Sequence, residues 1–263
     1  MAFDASDLLA FAEDPQVFVA IGPDQERIVT ERFVLTFSPG EHFWSTAVAR
    51  VRFDVDDVRG GVREVRELVR RRGRRAAAWT IGPSATPRDV LPRLLELGLE
   101  PESDEGSVML VMTDVPKARS TTFEVRRVST LQEHLAAIEV ANEGFGFPEE
   151  DAADERRRAP DTFEAERAGG HTIRLLVLDG DRPVATGQGW LSPSGIYLGG
   201  GATIPSHRRR GALTDLVAAA WTEAVRRGTP ALVTFGGAMS RSPLERLGFR
   251  PVGRVHHLID RLH

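Results

Sequence analysis

The sequence predicts an α/β (α+β) protein of two similar domains, each with a mixed, mostly antiparallel sheet flanked by helices. The main observation is an internal echo: residues 62–82 followed by 91–102 resemble residues 212–236 followed by 242–252. In both copies, a helix ending in Arg-Arg-Gly leads to a short apolar strand, a short helix and a final strand, at an offset of about 150 residues. A polar stretch without periodicity, TDVPKARSTT at 113–122, predicts a linker. We therefore expect a domain over 1–115 and another over 121–263.

The second half begins with elements whose sequence signals are clear. FEVRRV (123–128) predicts a strand, and Thr130 with Glu133 forms the capping box that opens a helix. Residues 151–170 predict a second helix with a break at Pro160. Residues 172–204 then predict three antiparallel strands, with turns at Asp179-Gly180 and Ser192–Gly195.

The rest of the second half alternates helices and strands. Apolar residues from Leu213 to Val225 follow helical spacing, and Gly228 with Pro230 predicts the end of that helix. ALVTF (231–235) predicts a short buried strand, and SPLERLGFRPV (242–252) a short helix and a last strand. The predicted order is β-α-α-β-β-β-α-β-α-β.

Composition excludes several classes of function. The 263 residues are 41% hydrophobic and 27% charged, with a net charge of −4, so we expect neither a nucleic acid nor a membrane as partner. The absence of cysteine excludes disulfides, thiolate metal sites and a cysteine nucleophile, and no histidine–carboxylate spacing predicts another metal site. The acidic N-terminus does not resemble a secretion signal, and no apolar run approaches the roughly 20 residues of a membrane span. We expect a cytoplasmic protein.

One loop carries a binding signal. In PSHRRRGAL, Arg208, Arg209, Arg210 and Gly211 lie between the strand that ends at Ile204 and the following helix. The first amides of a helix lack intrahelical acceptors and favour anions, glycine permits close approach, and the arginines add charge. The loop therefore suits a pyrophosphate. The alternative is an arginine-rich helix start that is only solvated surface.

The second half contains, in order, a strand, an Arg-x-x-Gly loop, a helix, a strand and the segment LERLGFRPV. This order, over residues 121–263, resembles the GNAT superfamily of acyl-coenzyme A-dependent N-acyltransferases. The resemblance implies acetyl-CoA as acyl donor and no metal, with the pantetheine arm pairing like a strand beside Ala202 and Thr203. Arg208 matches the family's Gln-or-Arg position, whereas Leu213 stands where a small residue is usual and is expected to crowd the phosphates. The residues that would surround the pyrophosphate are Arg208, Arg209, Arg210, Gly211, Ala212, Leu213 and Thr214.

The doubled arrangement resembles tandem members of the same superfamily. The counterpart of the loop in the first half, VRFDVDDVRGGV (51–62), carries Asp54, Asp56 and Asp57, which would repel a pyrophosphate. We interpret the first domain as a degenerate copy that shapes the acceptor groove, so that one domain binds coenzyme.

The catalytic residues depart from the pattern that the resemblance implies. Many relatives protonate the leaving thiolate with a tyrosine, at a position occupied here by Leu244, and the asparagine often found seven residues earlier is Gly237. The sole tyrosine, Tyr197, is six residues before Thr203, so a regular strand would place both on one face. Its phenol is a poor base but a possible acid or donor. The alternative is a strand tyrosine that only packs.

Two further candidates have weaker signals. Glu143, in NEGFGFPEE, is expected on a mobile loop beside the acceptor pocket, where it could accept a proton through water or simply be solvated. Phe145 and Phe147 form either a wall of that pocket or a cap on the core. Ser240 could donate to the thiolate, although a helix N-cap is the commoner role.

The predicted function is an N-acetyltransferase that moves an acetyl group from acetyl-CoA directly to an amine. The acceptor is a small molecule or a peptide, and aminoglycosides, polyamines, amino acids, peptide N-termini and amino-sugar conjugates all stay open. A non-catalytic acyl-CoA-binding or regulatory module is the main alternative, and a structural interaction domain that has lost the coenzyme is a third. The sequence does not specify an oligomeric state.

Overall fold

A computed structural model describes residues 5–103, 105–117 and 123–262. The first half contains α1 (Ala5–Glu13), α2 (Pro15–Phe18), β1 (Glu26–Val29), β2 (Val34–Phe37), β3 (Thr46–Ala49), α3 (Val58–Arg71), β4 (Ala76–Ile81), α4 (Val90–Glu96), β5 (Glu100–Pro101) and β6 (Ser107–Met112). The second half contains β7 (Glu124–Arg127), α5 (Leu131–Phe145), α6 (Glu149–Gly169), β8 (Thr172–Asp179), β9 (Arg182–Ser192), β10 (Gly195–Thr203), α7 (Ala212–Arg226), β11 (Leu232–Gly236), α8 (Arg241–Leu247) and β12 (Arg250–Arg261). Residues 118–122 of the expected linker lie outside the described ranges.

The described strands form a sheet in the order β1-β2-β3-β4-β12-β6-β11-β10-β9-β8-β7, with β5 also paired to β12. The β3–β4 and β10–β11 pairs are parallel, and the other strand pairs are antiparallel. Helices from both halves flank this sheet. The predicted class, a mixed and mostly antiparallel sheet flanked by helices, is confirmed, as is the predicted element order of the second half.

The two halves exchange strands. β6, from the first half, lies between β11 and β12, because residues 108–112 pair with 232–236 and residues 107–111 pair with 250–255. In return, residues 256–261 of β12 pair with residues 76–81 of β4. Each half therefore completes its sheet with a strand from the other. The division into domains over 1–115 and 121–263 stays a prediction, and strand pairing crosses it twice.

Hydrophobic clusters hold this arrangement together. One lies around α7 in the second half and another around α3 in the first half. A smaller cluster joins Phe11 of α1 to Val111 of β6 and Val233 of β11. Since α1 belongs to the first half and β11 to the second, this cluster seals the seam where the strands are exchanged.

The helices around the second half begin and end as their sequence signals predict. Thr130 and Glu133 form the capping box of α5, and Gly146 ends that helix in the left-handed conformation at φ 71°. α7 buries one apolar face against the sheet, and Gly228 follows its end at φ 75°. These caps fix the ends of α5 and α7, which lie beside the candidate site.

Two local expectations are wrong. α6 runs through Pro160 without a break. The proline removes one helical hydrogen bond. The fully buried Ala159 and the Arg158–Asp154 ion pair at 2.8 Å hold the turn before it and offset that loss. Glu143 does not lie on a loop: α5 continues to Phe145, so Glu143 is an exposed residue of its last turn.

Candidate functional site

The parallel pair β10–β11 opens into a cleft. Its register covers three rungs only, Ile196–Leu232, Tyr197–Val233 and Leu198–Thr234. At the last rung the Thr234 hydroxyl donates to the Leu198 carbonyl oxygen at 2.9 Å. Beyond this point β10 has no pairing with β11 among the described residues, so the strand edge after Leu198 is free to pair with another extended chain.

The three glycines of β10 form a β-bulge where the strands separate. The register against β9 shifts between Gly199 and Ala202, and Gly200 adopts φ 59°, a left-handed value that favours glycine. This bulge corrects the expectation that Tyr197 and Thr203 share a face. One extra residue reverses the alternation, so Ala202 lies on the face of Tyr197 and Thr203 on the opposite one.

The loop after β10 directs backbone amides toward the same cleft. Arg209 and Gly211 have φ values of 64° and 103°, which turn the chain sharply into α7. The first amide with a helical partner is that of Asp215, which donates to the Gly211 carbonyl at 3.2 Å. The amides from Arg209 to Thr214 have no backbone acceptor in the part of the chain that the structure describes, so they are available to an anion.

Three side chains of the loop anchor it to its surroundings. Arg208 donates to the Gly144 carbonyl at 2.8 Å and to the Thr203 carbonyl at 3.3 Å, so it ties the end of α5 to β10. Buried His207 and exposed Arg210 both lie 3.2 Å from the Asp179 carboxylate. These contacts fix the loop while leaving its amides exposed.

Leu213 does not crowd the loop as expected. Its half-buried side chain packs against the core of the second half, and the preceding Ala212 is buried. Thr214 instead lines an open cleft of about 670 Å³ at the start of α7, together with the loop residues. The Leu213 side chain therefore leaves this side of the loop open.

That cleft carries a strong positive charge. It is also lined by Arg246 and Leu247 of α8 and by Lys117, and no carboxylate is among its lining residues in the described part of the chain. Neither Lys117 nor Arg246 carries a sequence signal of its own, because only the fold brings α8 and the end of the first half beside the α7 loop. We call the set Lys117, Arg209, Arg210 and Arg246 the cationic cleft.

Tyr197 is half-buried and packs against aromatic rings. Its ring stacks on Trp190 with centroids 5.2 Å apart and meets Phe235 edge-on at 5.8 Å. Burial raises the pKa of Tyr197 to about 12. A phenol with this pKa keeps its proton at neutral pH, so it can donate a hydrogen bond but cannot act as a base.

The rings continue from Tyr197 into the first half. Phe235 lies 5.3 Å from His257, which in turn lies 5.1 Å from Trp44. We call Trp190, Tyr197, Phe235, His257 and Trp44 the aromatic band. Burial lowers the pKa of His257 to about 4, so its ring is neutral at neutral pH. The band starts beside the strand opening and crosses the seam, so both halves contribute to it.

Carboxylates lie at the far end of the aromatic band. Glu102 accepts from the Trp44 indole N–H at 3.0 Å. Burial lowers the pKa of neighbouring His42, while the negative charges of Asp151 and Glu102 oppose that shift. On α6, half-buried Glu155 has a pKa that burial raises, and no hydrogen bond or ion pair involves it within the described residues. A cationic amine would find complementary charge here.

The other candidate residues lie away from these contacts or serve the fold. Exposed Phe145 and Phe147 stack on each other with centroids 5.3 Å apart after Glu143. The Ser240 hydroxyl accepts from the Gly237 amide at 3.2 Å and makes no side-chain cap to α8. Leu244 is buried in the core of the second half.

The corresponding opening in the first half is closed by the chain itself. Beyond the parallel rungs of β3 and β4, the Thr86 amide donates to the Val51 carbonyl and the Phe53 amide to the Thr86 carbonyl, both at 3.1 Å. The Arg50 amide donates to the Asp14 carboxylate at 3.1 Å. These hydrogen bonds occupy the strand edge that stays free in the second half.

The start of α3 differs from the start of α7 in the same way. A Cβ added to Gly60 would overlap the Asp57 carboxyl group, which therefore already lies over the first turn of the helix. Arg32 forms an ion pair with Asp57 at 3.0 Å. A carboxylate takes the place that an external anion would need.

Two absences apply to the described ranges only. There, no group of three or more histidine and acidic side chains is arranged to hold a metal ion. Over the same ranges, no helix combines the length and apolar character of a membrane span.

No protein-family model and no curated protein sequence matches this chain. Solved structures do. A GCN5-related N-acetyltransferase from Kribbella flavida superposes with a TM-score of 0.67 at 19% identity, over 99% of this chain and 96% of its own. A tandem GNAT protein from the clavulanic acid biosynthesis pathway superposes with a TM-score of 0.60 at 15% identity, over 92% of this chain and 84% of its own. A GCN5-related N-acetyltransferase from Sphaerobacter thermophilus superposes with a TM-score of 0.59 at 17% identity, over 89% of this chain and 82% of its own. The resemblance to GNAT proteins is thus confirmed at the level of the fold.

Proposed function

We propose that this chain, which has the fold of the GNAT superfamily, is an acyltransferase that moves an acetyl group from acetyl-CoA to an amine. One observation carries the proposal: the free edge of β10 after Leu198 and the unpaired amides from Arg209 to Thr214 belong to one continuous stretch of chain. The edge suits an amide-containing arm, and the amides suit a pyrophosphate. Acetyl-CoA carries these two groups in covalent succession.

The coenzyme would occupy the second half alone. Its pantetheine arm would pair with β10 around Ala202 and Thr203, and its pyrophosphate would receive the loop amides. The first half offers no equivalent, since Thr86 occupies the strand edge and Asp57 covers the start of α3. We therefore expect one coenzyme per chain.

The acceptor would approach along the aromatic band. The amine nitrogen forms a bond to the thioester carbonyl carbon, the carbon–sulfur bond breaks, the amine loses a proton to solvent, and the thiolate takes one up. Alignment of the two reactants supplies much of the rate. Tyr197 is the hydroxyl of this band, and its protonated phenol could donate toward the opening.

The test is a calorimetric titration of acetyl-CoA into the wild type and Gly211→Glu. Gly211 has φ 103°, and a carboxylate there would repel the pyrophosphate, so binding at micromolar affinity in the wild type should be lost in the variant. Gly228→Glu is the matched control, since Gly228 lies past the other end of α7 with φ 75° and open space around it. The control should bind normally.

Two results would contradict the proposal. The wild type could fail to bind acetyl-CoA, or both glutamate variants could bind equally well, which would place the coenzyme elsewhere. Circular dichroism of both variants separates loss of binding from loss of folding.

A second candidate is an acyl-CoA-binding module without catalysis. It is favoured by Leu244, whose buried aliphatic side chain cannot protonate a thiolate. Release of free coenzyme A thiol in a panel of amines separates the two functions. Tight binding without thiol release from any amine would favour the module.

A further inference from the structure

The cationic cleft has more positive charge than a pyrophosphate needs. Arg210 is partly neutralised by Asp179 at 3.2 Å and lies 5.6 Å from the Phe123 ring centroid. Exposed Arg209, Lys117 and Arg246 have no carboxylate partner among the described residues, although arginine ion pairs are frequent elsewhere in this acidic protein. Uncompensated cations that converge on one cleft repel one another, so their placement indicates an anionic ligand.

The cations that line the cleft come from two parts of the chain. Arg209 and Arg210 belong to the loop whose amides would bind a pyrophosphate. Lys117 and Arg246 line the same cleft from outside this loop, and they are held together by the hydrogen bond from the Lys117 amide to the Leu247 carbonyl at 2.8 Å. The Arg246 side chain donates to Ser242 at 2.5 Å, which leaves its remaining N–H groups available.

A pyrophosphate diester carries two negative charges, which the loop amides and loop arginines can balance. Lys117 and Arg246, which line the same cleft, would then be left to bind a separate phosphate. In coenzyme A, the group that meets this requirement is the phosphate monoester on the ribose of the adenosine end. It carries up to two further charges and three acceptor oxygens.

We propose that Lys117 and Arg246 bind this ribose 3′-phosphate and make it a condition of donor recognition. The inference rests on the proposed function and narrows it to a substrate class. The donor is free acetyl-coenzyme A with its complete 3′-phospho-ADP end. Thioesters without that phosphate, which include the phosphopantetheine of an acyl carrier protein, bind weakly.

The experiment compares acetyl-CoA with 3′-dephospho-acetyl-CoA by calorimetric titration at one fixed salt concentration. We expect the wild type to bind acetyl-CoA at least about tenfold more tightly, since Lys117 and Arg246 would make charge-assisted hydrogen bonds to the additional phosphate. In the Lys117→Ala/Arg246→Ala double variant this ratio falls toward one, because acetyl-CoA weakens while the dephospho compound keeps its affinity. The Arg63→Ala/Arg70→Ala double variant, which removes two exposed cations from α3, is the charge-matched control and keeps the wild-type ratio.

The outcomes separate the two proposals. If neither compound binds, the proposed function fails. If the wild type binds both compounds equally, the coenzyme site stands and this inference is overturned. A wild-type preference that survives in the double variant would also overturn it, by assigning the phosphate to other residues. Thermal unfolding of the double variant, expected to match the wild type, excludes a folding defect at these two exposed positions.

Discussion

At the scale of single residues, the candidate site combines side chains that are committed to the fold with others that are free. The Arg208 guanidinium bonds two carbonyls, and the Ser240 hydroxyl accepts from a nearby amide. Arg209, by contrast, has no carboxylate partner in the described part of the chain. Residue type alone does not separate these cases, because an arginine beside a loop can serve either purpose. The contacts that each side chain makes distinguish the two cases, and those contacts depend on the fold.

Tyr197 yields a prediction at this scale, because it is the sole tyrosine and its titration is unambiguous. We expect the absorbance of tyrosinate in the folded protein to appear with a midpoint near pH 12, against about pH 10 in denaturant. The folded pKa lies above the unfolded one, so ionisation favours unfolding, and stability should fall as the pH rises from 10 toward 12. Consequently, no acid or alkaline limb of an activity profile below pH 10 should arise from Tyr197.

Tyr197→Phe serves as the control for this titration, since it removes the absorbance change altogether. A native midpoint near pH 10 would show that the phenol is solvated, and its assignment as a buried donor would be wrong.

At the scale of elements, the bulge in β10 determines what the site can bind. A regular strand would have continued its pairing with β11 and left no edge for a ligand. The shift between Gly199 and Ala202 bends β10 away after Leu198. The same bulge sends Ala202 and Thr203 to opposite faces, so the strand with the free edge also sets which side chains lie on each face of the sheet.

Two adjacent glycines of the bulge give a matched pair of variants. Gly200→Ala should lower the free energy of unfolding by about 1 kcal/mol, because φ 59° is strained for a residue with a Cβ. Gly201→Ala should have little effect or stabilise slightly, because Gly201 has an ordinary φ and open space around it. Urea unfolding monitored by tryptophan fluorescence measures both. Equal effects in the two variants would contradict this description of the bulge.

Much of the second half could be predicted from the sequence, since periodicity and caps act over a few residues. The Thr130 capping box and the end of α7 at Gly228 are examples. Glycines within a strand often mark a bulge, but the run at 199–201 could not show that the bulge reverses the face of Thr203. Pro160 misled because the burial of Ala159 and the Arg158–Asp154 ion pair, which hold the preceding turn, depend on the folded structure. Lys117 and Arg246 are far along the chain from the α7 loop with which they line the cleft, so no local pattern could predict that they come together.

At the scale of the whole molecule, the strand exchange makes the two halves interdependent. β6 is an interior strand of the second half's sheet, and residues 256–261 pair with β4 of the first half. Buried Asp260, 2% exposed, also holds Arg66 of α3 at 2.7 Å. The internal echo predicted two similar units but not this exchange, because a strand paired with its own half and one paired with the other half have the same hydrophobic pattern.

We expect that a break in the backbone between Lys117 and Phe123 leaves two fragments that are stable only together. Each fragment alone lacks an interior strand and exposes unpaired edges that favour aggregation. Co-expressed fragments with a tag on one should co-purify at equal amounts, whereas each expressed alone should be insoluble or unfolded. A full-length chain cut at the same place after folding is the control and should stay associated. Either fragment purifying alone as a folded monomer would contradict the exchange.

The path of β12 also constrains how the protein is made. Domains usually fold as they leave the ribosome, the N-terminal one first. Here the first half cannot close its sheet until residues 256–261 have been synthesised, after all the other described strands. Neither half can complete its sheet before β12 has been made. β6 stays without strand partners until β11 and β12 have been synthesised, so we expect its open edges to need protection from aggregation during translation.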